Sequence, residues 1–487
     1  MTCANWAAAL LLAAACSPAV PVLAPIVDVP DASSPAYPFT DIDELRLSIA
    51  HAGQDADIAL VSVAPGDTPE LASVPFGDDL VVHLSGRRAG VEVAYGRTCA
   101  VSVNRDTNVA SVHLYFARIV KWAAGPQPSE PRAVGRDAYA TPAGDGVFVG
   151  GAADGDLTDM ERFDARAGAF VALPGRVAAR RGAALAPLRD GRALRIGGVA
   201  GPPGADVAVA SCELLSPTAA AELQVQTIAD DCLHLVDAAA ATLVDGGVVV
   251  AGGRRDQGAG FQPSGATWLF RLGDAGIPAP PRLLPTAALA HPRYGHTATR
   301  LGDEVGAAVL IVGGRDAVGP VAAAELYEPL RESYAAFAPQ LLTPRYDHRA
   351  VLLPDGSILI VGGRDSANRP TASLEVYLPR IGQFAAVGTL PAGAGLVGFT
   401  ATALPDGRVL LAGGRDAGNQ PVATAYILRL DPIDGTVDIS PTDGLAVPRA
   451  GHSAVPLCDG TVLIVGGTVA PGAPGSERYN PPSAGRR

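Results

Sequence analysis

Four times along this chain, arginine and aspartate follow directly after two adjacent glycines. The runs are Arg254-Arg255-Asp256, Arg315-Asp316, Arg364-Asp365 and Arg415-Asp416. The planar fork of an arginine side chain suits carboxylates and sugars, so the pattern predicts a polar binding surface. Ion pairs that join one repeat to the next would give the same pattern, and the sequence leaves both interpretations open.

A second set of arginines opens three of the repeats in the pattern Pro-Arg-x-x-His. The set consists of Pro292-Arg293 with His296, Pro344-Arg345 with His348, and Pro448-Arg449 with His452. We expect Arg293, Arg345 and Arg449 to lie beside the Arg-Asp runs on the same binding surface. Histidines at equivalent positions of a repeat could converge on a metal ion, but a repeated hydrogen bond is the favoured interpretation. No metal site is therefore predicted.

Local catalytic signatures are missing from the sequence. It contains no H-E-x-x-H, C-x-x-C, G-x-S-x-G or Walker motif. We therefore predict no catalytic residue, no cofactor and no enzyme activity.

The elements that position these residues come from a repeat of a short apolar strand that ends in Gly-Gly. The pairs begin at Gly150, Gly197, Gly252, Gly313, Gly362, Gly413 and Gly466, a spacing typical of propellers and solenoids. In five units an Asp-Gly turn lies seven residues earlier, at Asp190, Asp245, Asp355, Asp406 and Asp459. Asp-Gly between apolar runs predicts a hairpin with a type I′ turn.

The remaining strands of each unit follow from the residues around the glycines. Unbroken apolar runs such as Ile358–Val361 predict a second strand that is buried on both faces. A third strand carries Glu and, two residues later, an aromatic, as in Glu375 and Tyr377, and period two places both on one sheet face. With a weaker fourth strand, each unit is predicted to be a four-stranded antiparallel sheet.

The joint order of these elements resembles the kelch repeat family, whose blades carry an Asp-Gly hairpin, a Gly-Gly pair, a Glu-x-Tyr strand and a late Trp. The resemblance implies an all-β fold with a seven-bladed kelch-type β-propeller over residues 112–487. The last blade lacks a fourth strand, and we expect residues 112–122, with Trp122, to close it beside Glu477 and Tyr479. In such blades the Arg-Asp loops and the opening arginines share one propeller face.

Residues 37–111 show a different pattern, with short alternating strands such as Leu45–Ile49 and Val91–Tyr95. This spacing predicts a small, Ig-like β-sandwich before the propeller. The alternative is that these strands extend the propeller itself.

The N-terminus predicts export. An apolar run at residues 6–15 followed by Cys16 resembles a bacterial lipoprotein signal, so that 1–16 is a signal peptide, cleavage falls before Cys16, and Cys16 is lipidated. The alternative is an ordinary cleaved signal. Residues 17–36 are predicted to be a Pro-rich linker. We therefore expect an outer membrane-anchored or periplasmic protein of a Gram-negative bacterium, with membrane contact only through the lipid.

Cysteine usage fits an oxidising compartment. Cys212 and Cys232 lie within one repeat interval and are candidates for a disulfide, with buried free thiols as the alternative. Cys99 and Cys458 remain after these and the N-terminal cysteines.

Charge and fold together narrow the function. The 487 residues carry a formal net charge of −12, which argues against nucleic acid as a partner. We predict a non-catalytic binding or scaffold protein that recognises an envelope protein or glycan through one propeller face. The alternative is a carbohydrate-active enzyme that resembles sialic-acid mutarotases or, less well, galactose oxidase, whose Tyr, crosslinked Cys and two His cannot be assembled here.

Overall fold

The computed structural model describes residues 23–483, except 55, 72–73, 105–111, 129–136, 150–157, 178–179, 202–205, 218–221, 230–233, 257–259, 273–279, 432–434 and 469–473. The predicted signal peptide, Cys16 and Cys232 lie outside the described residues. Two compact units are present, the first with residues 23–32 and Tyr37–Arg118 and the second with Ser33–Ala36 and the described residues from Ile119 onward. No helix in the described part of the chain has the length and apolar character needed to cross a membrane.

The first unit contains a six-stranded antiparallel sheet, a two-stranded parallel sheet and a short 3-10 helix at Pro38–Thr40. Five strands of the larger sheet lie in the order Ala59–Val63, Glu44–His51, Gly77–Arg88, Val91–Arg97 and Ala117–Arg118, and Val101–Val103 also pairs with Gly77–Arg88. The parallel pair consists of Ile26–Asp28 and His113–Tyr115. The predicted strands are present, whereas the Ig-like arrangement stays a prediction.

The segment predicted as a Pro-rich linker contributes to the core of this first unit. Leu23 is completely buried and pairs with Leu71 through backbone hydrogen bonds of 3.0 and 2.9 Å. Ile26–Asp28 forms a strand. The apolar residues between the prolines are therefore part of the fold, because they complete a core that the sheet alone leaves open. Because the scattered prolines leave no strand period in the sequence, this pairing was not predicted.

The second unit contains, among its described residues, seven four-stranded antiparallel sheets. Sheet 1 contains Asp137–Ala140, Gly146–Val149, Thr158–Asp164 and Ala169–Val177; sheet 2 contains Ala184–Pro187, Ala193–Ile196, Cys212–Pro217 and Leu223–Ala229; sheet 3 contains Ala239–Thr242, Val248–Ala251, Thr267–Arg271 and Arg282–Pro285. Sheet 4 contains Thr297–Arg300, Val309–Val312, Glu325–Glu328 and Ser333–Ala335; sheet 5 contains Arg349–Leu352, Ile358–Val361, Ser373–Leu378 and Gln383–Thr389. Sheet 6 contains Thr400–Ala403, Val409–Ala412, Ala425–Leu430 and Val437–Pro441; sheet 7 contains Ser453–Pro456, Val462–Val465, Ser476–Asn480 and Lys121–Ala124.

Two smaller sheets accompany these seven. One pairs Val199–Ala200 with Val207–Ala208, and the other joins Leu235–Val236, Arg254–Asp256 and Phe261–Pro263.

The seven sheets contact one another in cyclic order. The first strand of each sheet contacts the first strand of the next, and the first strand of sheet 7 contacts that of sheet 1. Apolar clusters fill the space between neighbours; Phe148 and Phe163 of sheet 1, for example, pack against Leu463 and Val465 of sheet 7. Each sheet therefore buries both faces against its two neighbours, which explains the unbroken apolar runs of the second strands.

Sheet 7 is completed by a strand from far upstream. Lys121–Ala124 pairs with Ser476–Asn480, with Trp122 opposite Tyr479 and their ring centroids 5.0 Å apart. This strand is the end of the segment 112–122 predicted for the role. The earlier part of that segment lies in the first unit, where Leu114 and Phe116 are completely buried.

The Asp-Gly hairpins exist, but their turns are not type I′. In each of the five turns only the glycine has a positive φ, as at Gly356 with 83°. The aspartate side chain instead accepts a hydrogen bond from the residue after the glycine, as from Ser357 N to Asp355 Oδ1 at 3.0 Å. That side-chain bond and the positive φ of the glycine alone replace the mirror-image turn that we expected.

Candidate functional site

The arginines of the Pro-Arg-x-x-His sequences are buried inside the second unit. Arg345 donates from Nη2 to Glu375 Oε1 at 2.6 Å and from Nη1 to the carbonyl oxygen of Gly362 at 3.1 Å. The same contacts join Arg293 to Glu325 and Gly313, and Arg449 to Glu477 and Gly466. All three arginines have no exposed surface. Each arginine holds the segment before the first strand of its sheet against the third strand of the same sheet. This corrects the prediction that the three arginines belong to a binding surface.

Sheet 2 has the same arginine–glutamate contact, although no Pro-Arg-x-x-His sequence precedes it. Arg180 forms an ion pair with Glu213 and donates to the carbonyl oxygen of Gly197 at 3.3 Å. In sheets 3 and 6 both partners are replaced together. Leu235 and Trp268 occupy the two positions in sheet 3, and Leu396 and Tyr426 occupy them in sheet 6. The arginine and the glutamate thus occur as a pair or are both absent in these six sheets.

Two of the three repeated histidines form a hydrogen bond, the role that the sequence favoured over a metal site. His348 Nε2 lies 3.0 Å from Thr297 Oγ1, and His452 Nε2 lies 3.0 Å from Thr400 Oγ1. Each bond joins a sheet to the sheet before it. His296 faces Ala239 at the equivalent place, and its ring nitrogens have no side-chain partner in the described part of the chain.

The aspartates of the Arg-Asp runs shape their own loops. Asp316 Oδ1 accepts hydrogen bonds from Val318 N at 2.7 Å and Gly319 N at 2.8 Å. Asp365 accepts from the backbone of Ala367 and Arg369, and Asp416 from that of Gln420, each at 2.9 Å. No ion pair between sheets uses these aspartates among the described residues. The predicted inter-repeat ion pairs are therefore not what these aspartates form.

The arginines of these runs stay accessible at the loops. Arg364 and Arg415 donate to the carbonyl oxygens of Asn368 at 3.1 Å and Asn419 at 3.2 Å. Arg315 lies over the ring of Tyr346, with its Cζ 5.4 Å from the ring centroid. All three arginines and their neighbouring aspartates are half-buried. The six residues thus remain candidates for a binding surface.

A backbone ring lies inside these loops, two residues before each first strand. Its described members all have a positive φ between 54° and 66°: Gly182, Asp237, Gly295, Asp347, Gly398 and Gly451. Neighbouring members bond through their backbones, as from Asp347 N to Gly295 O at 2.8 Å and from Asp237 N to Gly182 O at 2.8 Å. Four members are glycine, which adopts this conformation without strain. The two aspartates occupy it at a cost of about 1 kcal/mol each.

Asp347 lies at the centre of a group of charged side chains. Its carboxylate interacts electrostatically with Asp237 and with the guanidinium groups of Arg364, Arg349 and Arg254. Arg254 is ion-paired with Asp237 and stacks on Tyr294, with its Cζ 4.9 Å from the ring centroid. In the described residues neither Asp347 nor Arg349 has an ion-pair partner. Arg349 donates only from Nε, to Phe399 O at 3.3 Å.

Solvent reaches both Asp347 and Arg349. Both side chains are exposed, yet neighbouring protein atoms remove part of their hydration. This loss of solvation raises the pKa of Asp347, with the charge of Asp237 as the next cause, and lowers the pKa of Arg349. An accessible carboxylate and an accessible guanidinium without ion-pair partners among the described residues are typical of a binding site. We call this group of Asp237, Arg254, Asp347, Arg349 and Arg364 the charged pit.

Sequence reasoning did not single out Asp347 and Arg349. Asp347 occupies a variable position of the opening motif, where Gly295 and Gly451 stand in the other two copies, and Arg349 directly follows the histidine of the motif. Alignment of the repeats against one another would have shown this departure. Only the described structure shows that these positions meet around a common centre.

Cysteine chemistry is restricted to disulfides in the described structure. Cys99, Cys212 and Cys458 are each disulfide-bonded, in agreement with the prediction for Cys212, whose expected partner Cys232 lies outside the described residues. None of the three has the free thiol that a Tyr-Cys crosslink requires.

The fold and the charged pit thus define an all-β protein built from many small antiparallel sheets, with a polar site at the ends of the first strands. The sequence matches no protein-family model, and none of the curated proteins matches it either.

Proposed function

We propose that the seven sheets are the blades of a kelch-like β-propeller and that the chain is a non-catalytic binding protein of the bacterial cell envelope. It recognises a protein or a glycan through the face that carries the Gly-Gly loops. The cyclic contacts of the first strands and the pairing of Lys121–Ala124 with Ser476–Asn480 support the propeller. The order of the Asp-Gly, Gly-Gly and Glu-x-Tyr elements supports the kelch resemblance.

One observation carries the binding function: Asp347 and Arg349 are charged, accessible and without ion-pair partners in the described structure. Elsewhere in this unit buried arginines are paired with glutamates, as Arg345 is with Glu375. Asp347 and Arg349 lack such an ion-pair partner among the described residues, although their surroundings disfavour both charged forms. A ligand that pairs with them explains why they are tolerated.

The location at the envelope rests on the N-terminal sequence. The apolar run at residues 6–15 directly before Cys16 supports export and lipidation. The disulfides of Cys99, Cys212 and Cys458 fit an oxidising compartment outside the cytoplasm. Both observations are consistent with a protein that meets its ligand in the envelope.

The experiment that tests this function is a binding screen of the purified full chain against glycans and envelope proteins. A triple variant with Arg315→Gln, Arg364→Gln and Arg415→Gln changes the proposed face while leaving the buried arginines intact. A control double variant with Arg189→Gln and Arg331→Gln changes exposed arginines in the turns at the opposite ends of the strands. Binding that the triple variant loses and the control keeps supports the proposal; a wild-type chain that binds nothing in the screen contradicts it.

A further inference from the structure

We infer that the charged pit takes a sugar acid, a molecule with one carboxylate and several neutral hydroxyl groups, an assignment that rests on the proposed function. The Nη atoms of Arg349, which have no hydrogen-bond partner in the described structure, would bind the carboxylate, and Asp347 would accept hydrogen bonds from hydroxyl groups beside it. Arg364 lies near enough to Asp347 to add to the positive field of the pit.

The net charge of the charged pit determines which ligand charge it favours. Its three arginines and two aspartates leave one positive charge in excess, and Arg254 and Asp237 already neutralise each other in an ion pair. A single carboxylate therefore balances the remaining charges. A phosphate dianion would bring a second negative charge against Asp347, and like charges at close range disfavour each other.

The surroundings of Asp347 favour hydroxyl groups over an ammonium group as its partner. Three guanidinium groups act on Asp347 and would repel a second cation placed beside it. A hydroxyl donor carries no net charge and meets no such repulsion. A zwitterionic amino acid is for this reason a poorer match than a sugar acid.

The backbone ring accommodates an aspartate at position 347. Asp347 has a positive φ of 54° where Gly295, Gly398 and Gly451 stand in neighbouring sheets. A Cβ at Gly295 would lie 2.8 Å from Asp347 Oδ1, so glycine at that position lets the carboxylate keep its place without a shift. A strained residue that neighbouring residues accommodate is expected where function requires its side chain.

Two substitutions copy residues that the chain itself uses at the equivalent positions. Asp347→Gly introduces the glycine of sheets 4, 6 and 7, and Arg349→Thr introduces the threonine of Thr297 and Thr400. Because glycine relieves the positive φ, Asp347→Gly should raise the melting temperature while it removes binding. A purely structural role for Asp347 would instead lower the melting temperature.

The test is calorimetric titration of the full chain with D-galacturonate and D-glucuronate, beside galactose, glucose and glycine as neutral-sugar and zwitterion probes. We expect at least one uronate to bind at least tenfold more tightly than its neutral parent and than glycine. Asp347→Gly and Arg349→Thr should each weaken that binding at least tenfold, and Arg331→Ala, which removes an exposed arginine in a turn at the opposite ends of the strands, should leave it unchanged.

The outcomes separate the inference from the proposed function. Equal binding of uronate and neutral sugar, or uronate binding that survives both substitutions in the pit, overturns the inference. A chain that binds another glycan or a protein through the Gly-Gly loops but neither uronate also overturns it, while the proposed function stands. A chain that binds none of these ligands overturns both.

Discussion

Arg345 and Glu375 form a completely buried ion pair, 2.6 Å from Nη2 to Oε1, whose two residue types change together from sheet to sheet. In sheet 6 Leu396 replaces the arginine, and Tyr426 replaces the glutamate. Glu375 also accepts hydrogen bonds from the backbone of Leu342 at 2.7 Å and Thr343 at 2.9 Å. The pair thus holds the connection from sheet 4 to sheet 5.

Breaking this pair from one side should be strongly destabilising. Arg345→Leu leaves the carboxylate of Glu375 buried without its cation, which typically costs about 3–5 kcal/mol in the free energy of unfolding. The double variant Arg345→Leu with Glu375→Tyr copies sheet 6 and should recover part of that loss. Urea denaturation of the two variants and wild type measures both effects. A double variant that is no more stable than Arg345→Leu would contradict the idea that the two arrangements are interchangeable.

Substitutions at the positions opposite the histidines should have opposite effects on stability in sheets 3 and 4. Thr297→Val removes the one side-chain partner that His348 has among the described residues and should cost about 1–2 kcal/mol, because the buried ring is left unsatisfied. Ala239→Thr places a hydroxyl opposite His296, which has no side-chain partner among the described residues, and should stabilise the chain by up to about 1 kcal/mol. Thermal unfolding at neutral pH compares them. A destabilising Ala239→Thr would show that its surroundings have no room for the hydroxyl.

Acid should destabilise the chain through these same histidines. Burial, and then the positive charges of Arg293 and Arg345, lower the pKa of His296 and of His348 to about 3. Both therefore stay neutral in the folded state, whereas in the unfolded state they take up protons near pH 6.5. The stability they contribute is complete above pH 6.5 and is lost as the pH falls toward 3. At pH 5 each should reduce the free energy of unfolding by about 2 kcal/mol.

A single substitution checks this pH dependence. His296→Phe copies Phe399, which stands at the equivalent position of sheet 6, and removes one titrating group. The melting temperature of His296→Phe should fall less than that of wild type between pH 7.5 and pH 5. Parallel pH curves for the two proteins would be evidence against a role of His296 in acid sensitivity.

The upstream strand of sheet 7 should be essential for the stability of the second unit. Trp122 is 5% exposed and packs on Tyr479, so Trp122→Ala should cost about 3–5 kcal/mol through the cavity that it leaves. Lys121→Ala is a control in the same strand, since its ion pair with Asp443 is partly exposed and should contribute less than about 1 kcal/mol. Chemical denaturation of both variants measures the difference. Equal stabilities of the two variants would contradict the closing role of this strand.

Much of the second unit followed from local patterns. Apolar runs such as Val462–Val465, followed by Gly-Gly, marked strands that the structure places at those bounds, because burial on both faces leaves no polar residue in them. Trp122 was identified as the partner of Tyr479 from the missing fourth strand of the last repeat. The predicted turn type was wrong, because the side chain of Asp355 accepts a hydrogen bond from the backbone amide of Ser357, two residues on, and makes a mirror-image turn unnecessary.

The candidate site was less predictable, because position within a repeat does not determine exposure. Arg345 and Arg349 are four residues apart, yet Arg345 is completely buried against Glu375 and Arg349 reaches solvent. Arg345, the arginine that recurs in the repeats, was predicted to bind a ligand and has a structural role instead. The residue without a counterpart in the other repeats is the one left unpaired.

The sequence by itself determined the strands, their order within each repeat and the glycines at their ends, since these depend on local periodicity and on backbone conformations that few residues adopt. Only the tertiary structure decided which charges are satisfied. Leu23 in the first core, Arg180 beside Glu213 and the unpaired Asp347 and Arg349 all depend on contacts between residues far apart in the chain. Long-range packing sets the solvation and the partners of each charge, and those decide whether an arginine stabilises the fold or stays free to bind a ligand.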